Sequence, residues 1–378
     1  MKIAVLGAGL VGGPMAGDLA NDPAFEVTVA DIDGAALERV GRDPRIVTKR
    51  ADLRTREAIA SVVADQDLVL SAVPGFMGYA TLETVLQCKK SCVDIAFFPE
   101  DALALGPLAE KNGVTALVDF GVAPGMSNVL SAHATTELES TDSILIYVGG
   151  LPRVRTWPYE YKAVFSPIDV IEEYTRPARY VENGVLVTRP ALSDPELIDF
   201  PEVGTLEAFN TDGLRSMATT MRVPNMKEKT MRYPGHIAKM AVLRETGFFG
   251  TDPIAIGGAS VRPIDMTAKL LFPMWKLEDG EEDVTVMRIV VEGTKDGRKT
   301  RTTYDLFDRY DAKAKVHSMA RTTGFTATAA VRMLAQRIFG EKGVFVPELV
   351  GLRHPCVDFL LGELRKRNVV YQEKVETV

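Results

Sequence analysis
The sequence predicts an α/β chain: an N-terminal doubly wound parallel sheet, then an α+β domain with a largely antiparallel sheet. Three observations carry this. First, Lys2-Ile-Ala-Val-Leu-Gly7-Ala-Gly9-Leu-Val-Gly12 is an apolar strand running into a Gly-x-Gly-x-x-Gly turn. Val27-Thr-Val-Ala-Asp31 then ends in a carboxylate nineteen residues after Gly12. Second, short apolar runs alternate with helical periodicity through the first 125 residues, as buried parallel strands and their crossover helices require. Third, beyond Asn128 the pattern turns to period-2 alternation around Asn183-Gly184 and Asp296-Gly297, the signature of hairpins with one face in water.

The elements follow in order. Gly7 permits a tight turn, Gly9 lets the backbone approach a pyrophosphate, and Gly12 packs the next helix against the strand. Leu10 and Val11 complete the loop. The helix start offers N–H groups and a positive dipole end to phosphates. Asp31 is placed to accept both ribose hydroxyls of an adenosine and to repel a 2′-phosphate. These are the marks of a Rossmann-type domain, and NAD is the expected cofactor. Strands are expected over residues 3–6, 27–31, 45–48, 67–73, 91–96 and 115–120, with helices over 54–64 and 102–112. Ligands of such sheets lie beyond the carboxyl ends of the strands. That singles out Val73, Pro74 and Gly75, and the stretch from Asp119 to Asn128. Asp52, after the short 45–48 strand, is placed to meet the adenine amine.

In the second half, a strand is expected over 143–149 and hairpins over 180–189 and over 284–292 with 300–308. Pro234 starts a helix through His236 and Lys239 that stops near Gly247. An amphipathic helix over 326–339 is closed by Gly340, a short return begins over 344–350, and residues 374–378 are expected to fray. Residues 1–125 and about 322–378 are assigned to the dinucleotide-binding domain, and 126–321 to a substrate-binding and dimerisation domain.

Bulk properties bound the function. A chain of 378 residues is long enough for two domains. A net charge of −7 advertises no nucleic-acid partner. Three cysteines make no disulfide framework, and Cys88 and Cys92 lack the second pair or histidines of a metal site, so no metal is expected. No run of eighteen apolar residues exists for a membrane. Lys2 leads straight into the strand and Asp18 interrupts the apolar stretch, unlike a signal peptide. A cytoplasmic protein with a small-molecule partner is expected. A homo-oligomer, dimer or higher, is expected because exposed antiparallel sheets often pair.

The nucleotide motif, the Asp119-to-Asn128 segment and the antiparallel second half together resemble the saccharopine dehydrogenase (reductase) superfamily, over nearly the whole chain. In that superfamily a strand ends in an acid, followed by a Gly-x-x-Pro-Gly turn, here Asp119 and Gly121-Val-Ala-Pro124-Gly125. The segment from Gly324 to Pro347 looks like the family's closing helix, which returns to the nucleotide domain. Phe120-Gly-Val-Ala-Pro-Gly-Met-Ser-Asn128, Trp157-Pro-Tyr-Glu-Tyr161 and Phe209-Asn-Thr-Asp-Gly-Leu-Arg215 most resemble L-lysine 6-dehydrogenases. Saccharopine-forming reductases resemble Gly-Leu-Asp-Pro-Gly where this chain has Ala123, and Asn-Arg-Asp where it has Thr211.

That resemblance implies oxidation of the terminal amine of L-lysine by hydride transfer from C6 to a nicotinamide. Such chemistry needs a base near the amine, a cation for the α-carboxylate and an acceptor for the α-ammonium. Asp119 and His236 are the catalytic candidates. Arg215 offers two parallel hydrogen bonds to a carboxylate, Asp212 suits the ammonium, and Arg232 is a substitute anchor. Tyr159, with Trp157 and Tyr161, would line a slot for the aliphatic stem. Each has a structural alternative: a turn-capping acid, a core histidine, a surface ion pair, an aromatic core. Two other functions stay open. One is a condensing reductase of the saccharopine or carboxynorspermidine kind. The other is a non-catalytic dinucleotide-binding regulator.

Overall fold
The computed structural model describes every residue except Asp279. It divides into two compact units, residues 1–137 with 319–370 and residues 138–318 with 371–378.

The first unit holds strands β1 (Lys2–Leu6), β2 (Glu26–Asp31), β3 (Ile46–Arg50), β4 (Leu68–Ser71), β5 (Ser91–Asp94), β6 (Thr115–Leu117) and, from near the chain's end, β17 (Gly343–Phe345). They form one parallel sheet in the order β17-β6-β5-β4-β1-β2-β3. The strands at its centre are apolar because helices cover both faces: Leu6, Val69, Leu82, Leu86, Val118 and Val344 share one core. The helix expected over 102–112 is split into a 3₁₀ turn, Ala102–Leu105, and a helix, Gly106–Asn112. Pro107 in the first turn starts the second piece afresh, since it has no N–H to give.

Two further elements differ from expectation. The helix expected over 326–339 is Ser318–Ala335. Its first turns bury Ser318, Thr322 and Thr326, small polar residues that make no apolar stripe and hide the start. The return after Gly340 is β17 followed by a helix, Pro347–Gly351. A Cβ at Gly351 would sit 2.3 Å from the Val129 carbonyl oxygen, so this helix lies backbone-close against helix Met126–Thr136.

The second unit holds β7 (Ser140–Pro152), β8 (Ala178–Glu182), β9 (Val185–Arg189), β10 (Glu196–Phe200), β11 (Gly204–Asn210), β12 (Asn225–Arg232), the small hairpin β13 (Ile254–Ile256) and β14 (Ala259–Val261), β15 (Asp283–Lys295), β16 (Arg298–Arg309) and β18 (Tyr371–Thr377). The main sheet runs β10-β11-β12-β7-β15-β16-β18, with β8 paired to β12 and β9 paired to β8. It is mostly antiparallel, and β12 pairs with β7 in parallel. Residues expected to fray at the C-terminus instead form β18, paired from Leu306↔Tyr371 to Thr300↔Thr377. This ladder places residues 371–378 with the second unit, because edge-strand hydrogen bonds hold them there. No helix among the described residues is long and apolar enough to cross a membrane.

Candidate active site
At the carboxyl end of the parallel sheet, steric demand falls on two glycines. Gly7 has φ +107°, and a Cβ on it would lie 2.7 Å from the Ala72 carbonyl oxygen. A Cβ on Gly12 would lie 2.1 Å from the Gly7 oxygen. Around Gly9 nothing lies within 4 Å, which leaves open backbone for a phosphate to approach. Leu10 is exposed beside it, and Val11 precedes helix Gly12–Ala20, whose first turn carries no acidic residue to repel an anion. These residues fit a dinucleotide's diphosphate.

Asp31 ends β2 with both carboxylate oxygens engaged. One accepts from Ala8 N–H at 2.6 Å and the other from Asp33 N–H at 2.8 Å. The carboxylate is thereby held against the glycine turn. Asp52 is tied up differently: Arg54 donates to it from Nε at 2.8 Å and from a terminal nitrogen at 2.6 Å. That pairing lowers its pKa to about 2, and the clamp competes with any adenine contact. Val73 is buried, and Pro74 precedes helix Gly75–Gln87. Phe76, which sequence reasoning passed over, stands 74% exposed at the start of that helix.

Asp119 is 7% exposed and adopts φ +56°, a left-handed conformation rare for a residue with a Cβ. It leads directly into the Gly121–Gly125 turn. Gly125 has φ +137°, and a Cβ there would lie 1.8 Å from the Gly121 oxygen, so only glycine closes this turn. Asn128 then locks it. Its Oδ1 accepts from Gly125 N–H at 3.3 Å and from Ser127 Oγ at 2.9 Å, and its Nδ2 donates to Glu348 Oε2 at 3.1 Å. Asp94, at the end of the neighbouring β5, is fully buried, and its carbonyl accepts from Phe120 N–H at 3.0 Å. Glu348 and Asp94 carry no local sequence signal. An isolated acid in an apolar stretch reads as a turn residue.

The second-unit candidates form a buried network of their own. His236 is 1% exposed. Its Nδ1 lies 2.9 Å from the Tyr159 carbonyl oxygen and its Nε2 lies 3.0 Å from Tyr174 Oη. A carbonyl only accepts, so Nδ1 carries the hydrogen and Nε2 accepts from the tyrosine. Burial, reinforced by the nearby Arg232 charge, lowers the His236 pKa to about 3. The ring is therefore a neutral link holding the 157–161 segment, and both nitrogens are occupied, which suits a positioning role better than a proton shuttle.

Arg232 is equally committed. It pairs with Glu173, donates to Tyr174 Oη at 3.2 Å and to the Met231 carbonyl at 2.9 Å, and lies 4.5 Å over the Tyr161 ring. Burial raises the Glu173 carboxyl above its usual range, against the pull of that guanidinium. Asp212 is bound by Arg179, at 2.8 Å from Nε and 2.8 Å from a terminal nitrogen. Arg215 is buried at φ +53°, so the solvent-facing surface ion pair is not what the structure has. The aromatic slot comes apart. Trp157 is 79% exposed beside Lys239, Tyr161 is buried against Trp275, and Tyr159 is half-buried with its ring 6.1 Å from Trp275. Arg179 and Glu228 were missed because alternating charged residues on a strand ordinarily face water, and Glu173 because an acid on an amphipathic helix ordinarily does too.

Glycine cradle, parallel sheet and acid-bearing second strand define a two-unit α/β protein with a dinucleotide-binding domain. The chain belongs to the saccharopine dehydrogenase family: residues 3–117 match the Saccharopine dehydrogenase NADP binding domain, and residues 121–370 match the Saccharopine dehydrogenase C-terminal domain. It is 25% identical over 268 residues to mitochondrial alpha-aminoadipic semialdehyde synthase of Bos taurus, covering 66% of this chain and 29% of that protein. The chain thus spans under a third of that relative's length. It is 23% identical to carboxynorspermidine synthase of Vibrio cholerae serotype O1, over 91% of each chain. The solved structure of apo saccharopine dehydrogenase (L-Glu forming) from Saccharomyces cerevisiae matches with a TM-score of 0.81 at 19% identity, over 100% of both chains. At that identity the likeness speaks for the fold.

Proposed function
We propose that the protein is an NAD-dependent oxidoreductase that oxidises the terminal amine of L-lysine to 2-aminoadipate 6-semialdehyde. The observation that carries the cofactor choice is Asp31, one oxygen of which is held by the Ala8 N–H of the glycine turn and the other by the Asp33 N–H just beyond β2. A fixed carboxylate there suits ribose hydroxyls and repels a 2′-phosphate. This reading departs from the NADP named in the matching domain model.

The bound nicotinamide supplies the hydride acceptor. Asp119, held at the strand end by the Gly121–Gly125 turn, would bind the substrate ammonium, take its proton and stabilise the positive charge that grows as hydride leaves C6. Water adds to that carbon, the C–N bond breaks, ammonia departs and the aldehyde remains. Arg215 is the carboxylate anchor in this reading because a guanidinium offers a carboxylate two parallel hydrogen bonds. His236 acts by holding Tyr159.

The test is NADH formation at alkaline pH with L-lysine, saccharopine, ornithine and carboxynorspermidine, each with NAD and with NADP. Turnover of L-lysine with NAD alone supports the proposal. Activity confined to an N-alkylated substrate overturns it in favour of a condensing reductase. That second reading is favoured by the near end-to-end match to carboxynorspermidine synthase.

A further inference from the structure
One buried carboxyl group is used by none of the chemistry above. Glu228 lies in the middle of β12, and its side chain points into the Asn210–Arg215 turn. Thr211 donates its hydroxyl to this carboxyl group, and Gly213 donates its backbone N–H. Thr211 Oγ1 also meets Thr230 Oγ1 at 2.9 Å. The turn wraps so closely that a Cβ on Gly213 would lie 2.1 Å from Glu228 Oε2. The same turn carries Asp212, which bonds to Arg179 of β8, and ends at Arg215.

We infer that Glu228 is a positioning residue: its carboxyl group clamps the turn from Thr211 to Gly213 and so sets where Asp212 and Arg215 stand. The functional half of this rests on the proposed reading of the turn as substrate-facing. The clamp itself rests on the contacts above.

The charges around Glu228 give the clamp a pH dependence. Asp212 on the turn and Glu173 on helix Pro167–Thr175 both disfavour a further negative charge. Arg179 is taken by Asp212, and Arg232 by Glu173. Burial, with these two carboxylates, raises the Glu228 pKa to about 8. At pH 7 the clamp is therefore a neutral acid, and above pH 8 it becomes a buried anion beside two others.

Hydrogen exchange of the amides of residues 211–216 tests this in the full chain without any substrate, with rates corrected for the intrinsic pH dependence. Wild-type protein should exchange there about tenfold faster at pH 9 than at pH 7, the factor that one pKa unit supplies. Glu228→Gln keeps an uncharged acceptor for both donors, and should stay protected and flat across that range. Glu228→Ala should exchange fast at both pH values, while β15 and β16 keep their protection. Gly213→Ala, which leaves the carboxyl in place but forces the turn off it, should behave likewise. Unchanged protection in both alanine variants overturns the clamp, as does loosening that spreads equally through β15 and β16. With an amine substrate in hand, Glu228→Ala should raise KM about tenfold or more with little change in kcat, the mark of lost ground-state binding. An unchanged KM with a loosened turn overturns the positioning role. If none of the amines is turned over, the proposed function fails, and the exchange result still decides the clamp.

Discussion

Asn128 and Glu348 stand 220 positions apart in the chain, and their side chains meet at 3.1 Å in the interior of the first unit. Asn128 simultaneously receives Gly125 N–H, so one amide ties the turn after Asp119 to the helix Pro347–Gly351. Asn128→Leu leaves the Gly125 amide and a buried carboxyl without this partner. It should destabilise the first unit by roughly 1–3 kcal/mol, read as a shift of the denaturation midpoint at unchanged slope. A shift within experimental error would mean that other contacts hold the turn.

In the proposed function, Asp31 sets the nucleotide preference. Asp31→Ser removes the carboxylate that would repel a 2′-phosphate and bridge the ribose hydroxyls. NADH affinity should fall about tenfold or more, and NADPH affinity should rise, in a fluorescence titration. Equal affinities before and after the substitution would remove Asp31 from the ribose site.

In the proposed function Asp119 is the base, so its substitution separates catalysis from binding. Asp119→Asn keeps the size and most of the turn geometry but loses the charge and that proposed base. Turnover should fall by about 10²-fold or more, while the Kd for NADH stays within about twofold. Retained turnover would move the base elsewhere.

His236 makes a pH prediction with a defined sign. Its pKa is near 6.5 when unfolded and about 3 when folded. Below pH 6.5 the unfolded chain binds a proton that the native chain refuses, so native stability falls as pH drops from 6.5 toward 3. His236→Gln retains polar contacts and cannot titrate, so its stability should decline less steeply over that window in pH-dependent thermal unfolding. The same shift implies that kcat/KM carries no His236 titration near neutral pH. A pKa near 6.5 for this ring, read directly by NMR, would contradict the buried network.

The parallel sheet was legible because its signals are local. Gly7, Gly9 and Gly12 follow an apolar strand within a few residues, and Asp31 lies one strand further on. Both hairpins were legible for the same reason: Asn183-Gly184 and Asp296-Gly297 are turn dipeptides between alternating strands. The start of helix Ser318–Ala335 was not, since its first turns bury the small polar residues Ser318, Thr322 and Thr326, which extend no apolar stripe. Nor was the pairing of β18, because Gln372-Glu-Lys374 reads as a solvated tail until β16 offers it a free edge.

By itself, then, the sequence determined the class of fold, the nucleotide turn and the acid-bearing turn at Asp119, all written in residues near one another along the chain. The tertiary structure alone decided which charges are available. Arg232, Asp212 and His236 looked like free chemistry, and each is engaged by a partner from another element: Glu173, Arg179 and Tyr174. It also decided that Glu228, one charge among several on an alternating strand, is buried beneath a glycine. The physical reason is that a side chain's pKa and binding capacity depend on its desolvation and nearest charges. Those neighbours come from distant segments that only the folded chain brings together.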